Sequence, residues 1–301
     1  MYNLNIYLKR REMEELKRIE EIKFIKCPLN YTGGKYKLLK QIIPLLPSGI
    51  NTFIDLFCGG CNVGINVASK RTVLNDSMPQ LQEIYAYWAE NGYDKVKQEV
   101  LERINKYHLS KTNEEGYYKL REDYNNNPNP IDLFVLIVYG FNNQIRFNSK
   151  GKFNIPFGKN RSDFNPRIDK NLKEFIEELN SGKYFITCSD FSQIKVDKLN
   201  TDDFIYADPP YLITTATYNE NGGWTEDEEK KLLNLLDLCT EKGIKFALSN
   251  VLENKGFENT ILKEWSKKYN VHHLNMTYGN CSYHKKDKSK NTTDEVLITN
   301  Y

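Results

Sequence analysis

Short apolar stretches alternate along the chain with longer amphipathic ones, and this alternation predicts its secondary structure. Strands are predicted near 52–57, 72–75, 184–188, 203–207, 245–249, 271–276 and 295–300. Helices are predicted from the glycine turn after the first strand to Lys70, and near 78–90, 93–108, 114–124, 131–143, 226–242 and 257–269. This order of strands and helices predicts an α/β fold in which helices cover both faces of one sheet.

Two segments interrupt the alternation. Residues 1–26 carry Leu, Met and Ile near helical spacing between charged residues, which predicts an amphipathic helix at the N-terminus. From about residue 143 to about 167 the chain is polar and basic and has no clear period, as expected of a binding loop or a small subdomain. An insertion is therefore expected to split the sheet-forming part of the chain into two halves.

The composition is that of a soluble, globular protein. The chain has 301 residues, of which 40% are hydrophobic and 13% aromatic, enough to fill a core. The longest apolar runs fall far short of the roughly 20 residues that a membrane span needs, and the N-terminus is charged where a signal peptide would be apolar. The six cysteines form no disulfide framework pattern. A cytoplasmic protein with reduced thiols and no membrane partner is expected.

The distribution of charge along the chain indicates more about possible binding partners than the net charge of +2 does. Between residues 141 and 170 there are seven basic residues and two acidic ones, interleaved with phenylalanines and asparagines. Basic side chains suit the phosphates of a nucleic acid, and amides and aromatic rings suit its bases. A solvated loop with ordinary surface charge is the alternative, and it would be preferred if this segment stood alone.

The tetrapeptide Asp208-Pro209-Pro210-Tyr211 follows the predicted strand 203–207 directly. Open α/β folds bind ligands at this carboxyl edge of the sheet. The prolines stiffen the turn. The Asp208 carboxylate and a backbone carbonyl could accept the two protons of an exocyclic amine while Tyr211 stacks on the base. The alternative is a strand-terminating turn, because Asp-Pro-Pro is also common turn chemistry.

A glycine turn follows the first predicted strand. Gly59 and Gly60 would let a cofactor lie against the backbone, and Gly64 opens the next predicted helix. Asp76 ends the next strand, at about the spacing at which nucleoside-binding folds place a carboxylate on the ribose. A helix cap ahead of Pro79 is the alternative for Asp76. Dinucleotide and Walker-type fingerprints are both lacking.

Two further motifs are weak on their own. Tyr31 to Tyr36 offers an aromatic ring, a flexible turn and a lysine that could meet a carboxylate or a phosphate, although an ordinary loop lysine is the alternative. Cys58 and Cys61 have the spacing of a zinc or redox pair. The further zinc ligands could come only from Cys281, His284, His272 or His273. Because these two cysteines lie in a glycine turn with another use, we expect no metal.

The motifs together, in their order, resemble those of a known family. They are Tyr-Thr-Gly-Gly-Lys at 31–35, Phe-Cys-Gly-Gly at 57–60, Asn-Asp at 75–76, Asn-Asn-Gln-Ile-Arg-Phe-Asn at 142–148, Phe-Asn-Ile-Pro-Phe-Gly at 153–158, Ser-Asp-Phe at 189–191 and Asp-Pro-Pro-Tyr at 208–211. This order resembles the Dam family, or D12 class, of DNA adenine methyltransferases, and most closely its phage-type branch. Cys61 departs from the family's commoner Phe-x-Gly-x-Gly loop.

The resemblance implies a domain organisation. It implies a Rossmann-like methyltransferase sheet with helices on both faces and an inserted, mainly helical DNA-recognition subdomain. The S-adenosylmethionine-dependent catalytic domain would comprise residues 28–90 and 168–301, and the target-recognition domain residues 91–167. Residues 1–27 would form a charged helical extension.

The resemblance also implies site residues. Catalysis would take place at Asp208, Pro209, Pro210 and Tyr211. The S-adenosylmethionine cofactor would be bound by Tyr31, Lys35, Phe57, Gly59, Asp76, Asp190, Phe191 and Asp208, with Asp76 on the ribose and Lys35 on the carboxylate side. The DNA would be bound by Phe141, Asn142, Gln144, Arg146, Asn148, Lys152, Pro156, Lys159 and Arg161. Arg146 is the candidate for a bidentate contact with guanine.

The activity implied is methyl transfer to the 6-amino group of an adenine flipped out of double-stranded DNA, in GATC or a related short site. A bacterial or phage-infected cell, a cognate restriction endonuclease and a monomer or weak dimer would fit this activity. Two alternatives stay open. One is a methyltransferase for an amine in RNA or protein, against which the basic insertion argues. The other is a DNA-binding regulator without catalysis, against which the intact Asp208 and Tyr211 argue.

Overall fold

The computed structural model describes residues 23–213, 223–275 and 293–301. The α-helices of this part of the chain are α1 (Leu39–Ile42), α2 (Pro79–Lys106), α3 (Glu114–Asn126), α4 (Pro130–Tyr139), α5 (Pro166–Leu179), α6 (Glu226–Glu241) and α7 (Thr260–Ser266). The strands are β1 (Ile50–Asp55), β2 (Ser69–Asp76), β3 (Tyr184–Cys188), β4 (Phe204–Ala207), β5 (Lys245–Asn254), β6 (Phe257–Glu258), β7 (Asn270–Leu274) and β8 (Thr293–Thr299). No helix within these ranges is long and apolar enough to cross a membrane.

One mostly parallel sheet organises the molecule. Its strands lie in the order β3-β2-β1-β4-β5-β8-β7, and the short β6 pairs with β5. Strands β3, β2, β1, β4 and β5 run parallel, whereas β8 runs antiparallel between β5 and β7. The chain leaves β1 toward β2 on one side and returns to β4 on the other, so a crevice opens at the carboxyl ends of β1 and β4. This topology confirms the predicted α/β, Rossmann-like fold.

Helices cover both faces of the sheet because successive strand residues point to opposite sides. In β4, Phe204 and Tyr206 pack with α1 residues on one face. On the other face Ile205 and Ala207 pack with leucines of α6 and α7. The prediction of two covered faces is confirmed.

The helices α2 to α5 build a second apolar centre around α4. All residues of α4 from Ile131 to Tyr139 are buried. The helix begins where the Asn129 side chain accepts the Asp132 N–H and Pro130 occupies the first turn. Its Phe134 ring meets Trp88 of α2 edge to face at 5.2 Å. This contact joins α4 to α2, the helix that follows β2.

Several predicted boundaries are wrong. The helix predicted to reach Lys70 is only a 3-10 turn at Gly64–Asn66, because β2 already begins at Ser69. The helix predicted at 131–143 ends at Tyr139, since Gly140 is extended and the next two asparagines have positive φ. Residues 23–26 are not helical, and residues 1–22 of the predicted N-terminal helix lie outside the described residues.

Two further differences concern helices. The helices predicted at 78–90 and 93–108 form one run, α2, that is kinked at Gly92 with φ 73° and ψ 169°. Helix α5 was not predicted. It begins at an Asn165 cap followed by Pro166 and buries one stripe of side chains. That stripe consists of Leu172, Phe175, Ile176 and Leu179.

Candidate active site

A cleft opens at the carboxyl ends of β1 and β4, at the point where the sheet order reverses. It is lined from four stretches of chain, 31–35, 55–63, 76–78 and 206–211. All the predicted catalytic and cofactor residues line it except Asp190 and Phe191. The structure therefore brings together motifs that are far apart in the sequence.

Four side chains form a cluster beside this cleft, which we call the Lys35 cluster: Lys35, Asp208, Tyr211 and Glu295. The Lys35 ammonium lies 2.8 Å from Asp208 Oδ2 and 3.7 Å from Glu295 Oε1. It also donates to the Gly33 carbonyl at 2.8 Å. The Tyr211 hydroxyl lies 3.1 Å from Asp208 Oδ1 and 3.4 Å from Glu295 Oε1. The first residue of the predicted tetrapeptide is thus held between a cation and a hydroxyl.

The Lys35 cluster places two carboxylates in a poorly solvated environment. Burial raises the pKa of Asp208 above its usual value, and the ammonium of Lys35 opposes that rise. Burial likewise raises the pKa of Glu295, with Lys35 opposing and the Asp208 charge adding to the rise. Lys35 is itself only 5% exposed. This buried cation therefore opposes the tendency of burial to leave the two acids uncharged.

The glycine turn is shaped by close packing. Gly59 has φ 46°, and a Cβ at this position would lie 2.7 Å from Cε1 of Tyr31. Its N–H donates to Asp76 Oδ2 at 2.9 Å, and the Met78 N–H donates to Asp76 Oδ1 at 3.0 Å. Asp76 thus ties the turn to the residue before α2, and it lines the cleft as well. It is not the cap of α2, because Met78 occupies the N-cap position and no side chain caps this helix.

Asp55, at the end of β1, was not singled out in the sequence. It is 2% exposed and lines the cleft. Its Oδ2 accepts the Gly64 N–H at 3.0 Å, whereas its Oδ1 has no hydrogen-bond partner among the described residues. Burial raises the pKa of Asp55 to about 8. A buried carboxylate with a vacant acceptor position is costly unless a ligand supplies a donor.

Three aromatic rings pack together behind the cleft. The ring centroids of Phe57 and Phe191 are 5.4 Å apart, and Trp224 lies 5.7 Å from the first and 5.4 Å from the second. The indole N–H of Trp224 donates to Glu229, a fully buried carboxylate on α6. Phe191 therefore reaches the cleft through Phe57. Asp190 is exposed and caps its own turn by accepting the Ser192 N–H at 2.9 Å.

The cysteine pair is buried beneath the glycine turn. The thiols of Cys58 and Cys61 are 3.2 Å apart, and Gln82 donates to Cys58 at 3.3 Å. Burial raises the pKa of both thiols. Buried thiols of this kind pack as small apolar groups. Cys281 and His284 lie outside the described residues.

The predicted DNA-binding segment folds back on itself after α4. Isolated bridges pair Gly140 with Phe157 and Phe147 with Phe153. The Phe141 N–H donates to the Pro156 carbonyl at 2.8 Å. At the tip, Asn148 Oδ1 accepts the N–H groups of Lys150 and Lys152. The loop exposes the side chains of Phe141, Asn142, Asn148, Lys152, Pro156, Lys159 and Arg161.

A second cleft connects this loop to the Lys35 cluster. Asn142, Asn143 and Gln144 line one side of it. Lys35, Tyr211 and Glu295 line the other side. The Asn30 amide donates to the Asn142 carbonyl at 3.2 Å and joins the two sides. Part of the predicted DNA segment therefore borders the predicted catalytic residues, whereas Lys152, Lys159 and Arg161 lie away from this cleft.

The family model of the D12 class N6 adenine-specific DNA methyltransferase matches residues 31–280, which include every predicted site residue. The chain belongs to this family. The resemblance seen in the motif order is therefore confirmed at family level. The likeness to the phage-type branch stays a prediction.

Several curated proteins are similar to most of the chain. The modification methylase StsI of Streptococcus sanguinis is 43% identical over 100% of the chain and 48% of its own length. The type II methyltransferase M.FokI of Planomicrobium okeanokoites is 47% identical over 92% of the chain and 43% of its own length. The DNA adenine methylase of Escherichia coli K12 is 26% identical over 81% of the chain and 85% of its own length. The chain thus spans about half the length of the first two.

Proposed function

We propose that this D12-class chain transfers a methyl group from S-adenosylmethionine to the 6-amino group of an adenine flipped out of double-stranded DNA. The proposed target is a short site, with GATC or a related sequence as the first candidate. One observation carries the proposal. Asp208, held by Lys35 and Tyr211, lies where the ligand cleft of the sheet meets a second cleft bordered by the basic loop.

The residues of the first cleft fit the proposed cofactor. Asp55 Oδ1 has no hydrogen-bond partner among the described residues. It is suited to accept from the ammonium at the methionine end of the cofactor, because a buried carboxylate needs a cationic or N–H partner. The Tyr31 ring packs against Gly59 and both line this cleft, and Asp76 stands where ribose hydroxyls could donate. The packed rings of Phe57 and Phe191 would support the adenine. When bound, S-adenosylmethionine supplies a methyl group on a sulfonium, which leaves as a neutral thioether.

The Lys35 cluster would activate the target amine. The amine's lone pair is conjugated into the purine, so it is a poor nucleophile until its protons are held by acceptors. Asp208 and the Pro209 carbonyl would accept hydrogen bonds from these two protons. The Lys35 ammonium lies 5.0 Å from the centroid of the Tyr211 ring, and the opposite face of this ring would stack on the base. Catalysis would then come from orientation and from preorganised charges in a desolvated site.

We assign DNA recognition to residues 91–167 and the cofactor and methyl transfer to residues 28–90 and 168–301. The kink at Gly92 lies next to the first of these boundaries and supports it. The proposed DNA contacts are Phe141, Asn142, Gln144, Arg146, Asn148, Lys152, Pro156, Lys159 and Arg161. Relatives named as modification and type II methyltransferases support a restriction-modification setting with a cognate endonuclease.

Transfer of tritiated methyl from S-adenosylmethionine to duplex DNA, RNA and protein tests the proposed function directly. Label is expected in DNA, and sequencing that detects modified adenine should then read the target site. Label in RNA or protein alone would favour the alternative function, a methyltransferase for an amine in RNA or protein. DNA binding without any incorporated label would favour a regulator that has lost the chemistry.

Arg146 is expected to discriminate one base pair. Its Nε donates to Asn154 at 2.9 Å, which orients the guanidinium and leaves the terminal nitrogens for a guanine edge. Arg146→Ala should therefore reduce discrimination at one position of the site by roughly 1–3 kcal/mol. Methylation rates on duplexes that each carry one changed base pair measure this effect.

The exposed Lys152 is the matched control for Arg146. Lys152→Ala should weaken binding about equally on every duplex and reduce its salt dependence, because a phosphate contact carries no sequence information. If Arg146→Ala behaves like Lys152→Ala, Arg146 contacts only phosphate.

Trp224 is expected to support cofactor binding from behind the cleft. Trp224→Ala removes its contacts with Phe57 and Phe191, which should weaken binding of S-adenosylhomocysteine by up to about tenfold. Titration calorimetry measures the affinity. Trp265→Ala removes a comparable contact with Tyr269 far from the cleft and should leave the affinity unchanged. Equal losses in both variants would mean general loosening of the fold.

A further inference from the structure

We propose that Tyr211 and Glu295 form a proton exit that carries the proton released by methylation from Asp208 to the second cleft. The inference rests on the proposed function, because only methylation of an amine releases a proton at Asp208. It assigns a role to Glu295, a residue on β8 that no motif pointed to.

The positions of the three groups support a relay. Asp208 lines the first cleft, Glu295 lines the second, and Tyr211 lines both. The Tyr211 hydroxyl lies between the two carboxylates, 3.1 Å from Asp208 Oδ1 and 3.4 Å from Glu295 Oε1. A hydroxyl has one proton to donate and can also accept one. The Tyr211 hydroxyl can therefore take a proton from one carboxylic acid while it gives its own proton to the other group, which is an ionised carboxylate.

The topology explains why a carboxylate of β8 reaches the site. Because β8 runs antiparallel to β5, its first residues lie at the same edge of the sheet as the last residues of the parallel strands. In the sheet, Glu295 is paired with Val251 of β5 and Leu274 of β7, which carry no charge. The neighbouring Asp294 points elsewhere and is bonded to His273 at 2.7 Å.

The proton balance of the reaction requires such an acceptor. The amine nitrogen forms a bond to the methyl carbon, the carbon–sulfur bond breaks, and its electron pair stays on sulfur. Positive charge develops on the nitrogen as this bond forms, and the nitrogen loses one proton in the same step, so the rate of methyl transfer depends on the acceptor of that proton. Asp208 Oδ1 would receive that proton, since Oδ2 is paired with Lys35. Tyr211 would pass it to Glu295 Oε1, from which water in the second cleft removes it.

The charges around Glu295 make the transfer between the two acids feasible. The groups that face it are Lys35, Asp208 and Tyr211. Tyr206 is more distant and interacts with it through charge, and its hydroxyl is bonded to Ser249 at 2.8 Å. Burial raises the pKa of both Asp208 and Glu295, which makes the protonated form of each acid easier to reach during the reaction. The shared Lys35 ammonium favours a state in which at least one of them is ionised.

The pH profile of single-turnover methyl transfer, in water and in deuterium oxide, tests the relay with Glu295→Gln. The variant should react about tenfold more slowly at pH 8 and show a larger solvent isotope effect, because the proton must leave by a slower route. Its acid limb should move to lower pH, since the relay needs an ionised Glu295, whose pKa is raised by burial and by the Asp208 charge, and the variant no longer has this requirement. Asp294→Asn, on the same strand, should change neither quantity.

Several outcomes separate the possibilities. A slower Glu295→Gln enzyme with an unmoved acid limb and an unchanged isotope effect would mean that Glu295 is only structural, and the relay would be wrong. A moved limb with an unchanged isotope effect would also refute it, since Glu295 would then act only through its charge. If Glu295→Gln fails to fold, Tyr211→Phe should show the same larger isotope effect. Absence of methylation by the unaltered protein would refute the proposed function instead.

Discussion

Asp208→Ala is expected to lower the rate of methyl transfer by roughly three orders of magnitude, while the fold is kept. The substitution removes the oxygen that would accept an amine proton and leaves the target nitrogen conjugated into its ring. The buried Lys35 keeps Glu295 at 3.7 Å and the Gly33 carbonyl at 2.8 Å as partners, so the cluster should not collapse. Tritium transfer to duplex DNA under single-turnover conditions measures the rate.

Asp208→Asn is the matched control for this substitution. It keeps an acceptor oxygen and loses the charge that pairs with Lys35 at 2.8 Å. Its rate should fall between those of the native protein and the alanine variant. Near-normal methylation by Asp208→Ala, with unchanged melting temperature, would refute the assignment of Asp208.

The local sequence was sufficient to predict the carboxyl edge of the sheet where a motif directly follows a strand. The four residues of β4 are all buried, and the next residue is the carboxylate of the tetrapeptide. A strand followed at once by Asp-Pro-Pro therefore marks the carboxyl edge of the sheet without any knowledge of distant residues. The same is true of the glycine turn after β1, where positive φ at Gly59 fits the residue type.

The contacts that complete the site were not visible locally. Glu295 meets Tyr211 only because β8 runs antiparallel beside β5, and nothing in the sequence of β8 specifies that neighbour. Asp55 did carry a signal, since a carboxylate inside the apolar run Phe53 to Phe57 must have a reason to be buried. The sequence also carried a signal for helix α5, the capping residue Asn165. The aperiodic basic segment before this residue obscured the change to a helical pattern.

Asp55→Asn is expected to stabilise the fold and weaken cofactor binding at the same time. The pKa of Asp55 is about 8 in the folded protein, against roughly 4 in an unfolded chain. The folded state therefore binds the extra proton between these values, and stability falls as the pH rises through this window. The asparagine variant escapes this cost. Its melting temperature should exceed that of the native protein most above pH 8, and the difference should vanish near pH 4.

Asp203→Asn is a control that should change the melting temperature in the opposite direction. Asp203 lies at the other edge of the sheet. Burial alone would raise the pKa of Asp203, but N–H donors of Asn200, Thr52 and Asn51 hold it below its usual value. Its charge therefore contributes stability that is present at neutral pH and lost as the pH falls through the lowered pKa. Asp203→Asn should lower the melting temperature at pH 7 and leave cofactor binding unchanged.

The affinity of Asp55→Asn for S-adenosylhomocysteine should be roughly 10- to 100-fold weaker at pH 7, because a buried charged acceptor is lost. In the native protein, pairing with a ligand ammonium should drive Asp55 to ionise, so binding should release a proton near pH 7. Calorimetry in buffers of different ionisation enthalpy counts that proton, and the asparagine variant should release none. Equal proton release by both proteins would mean that the free Oδ1 of Asp55 does not meet the cofactor.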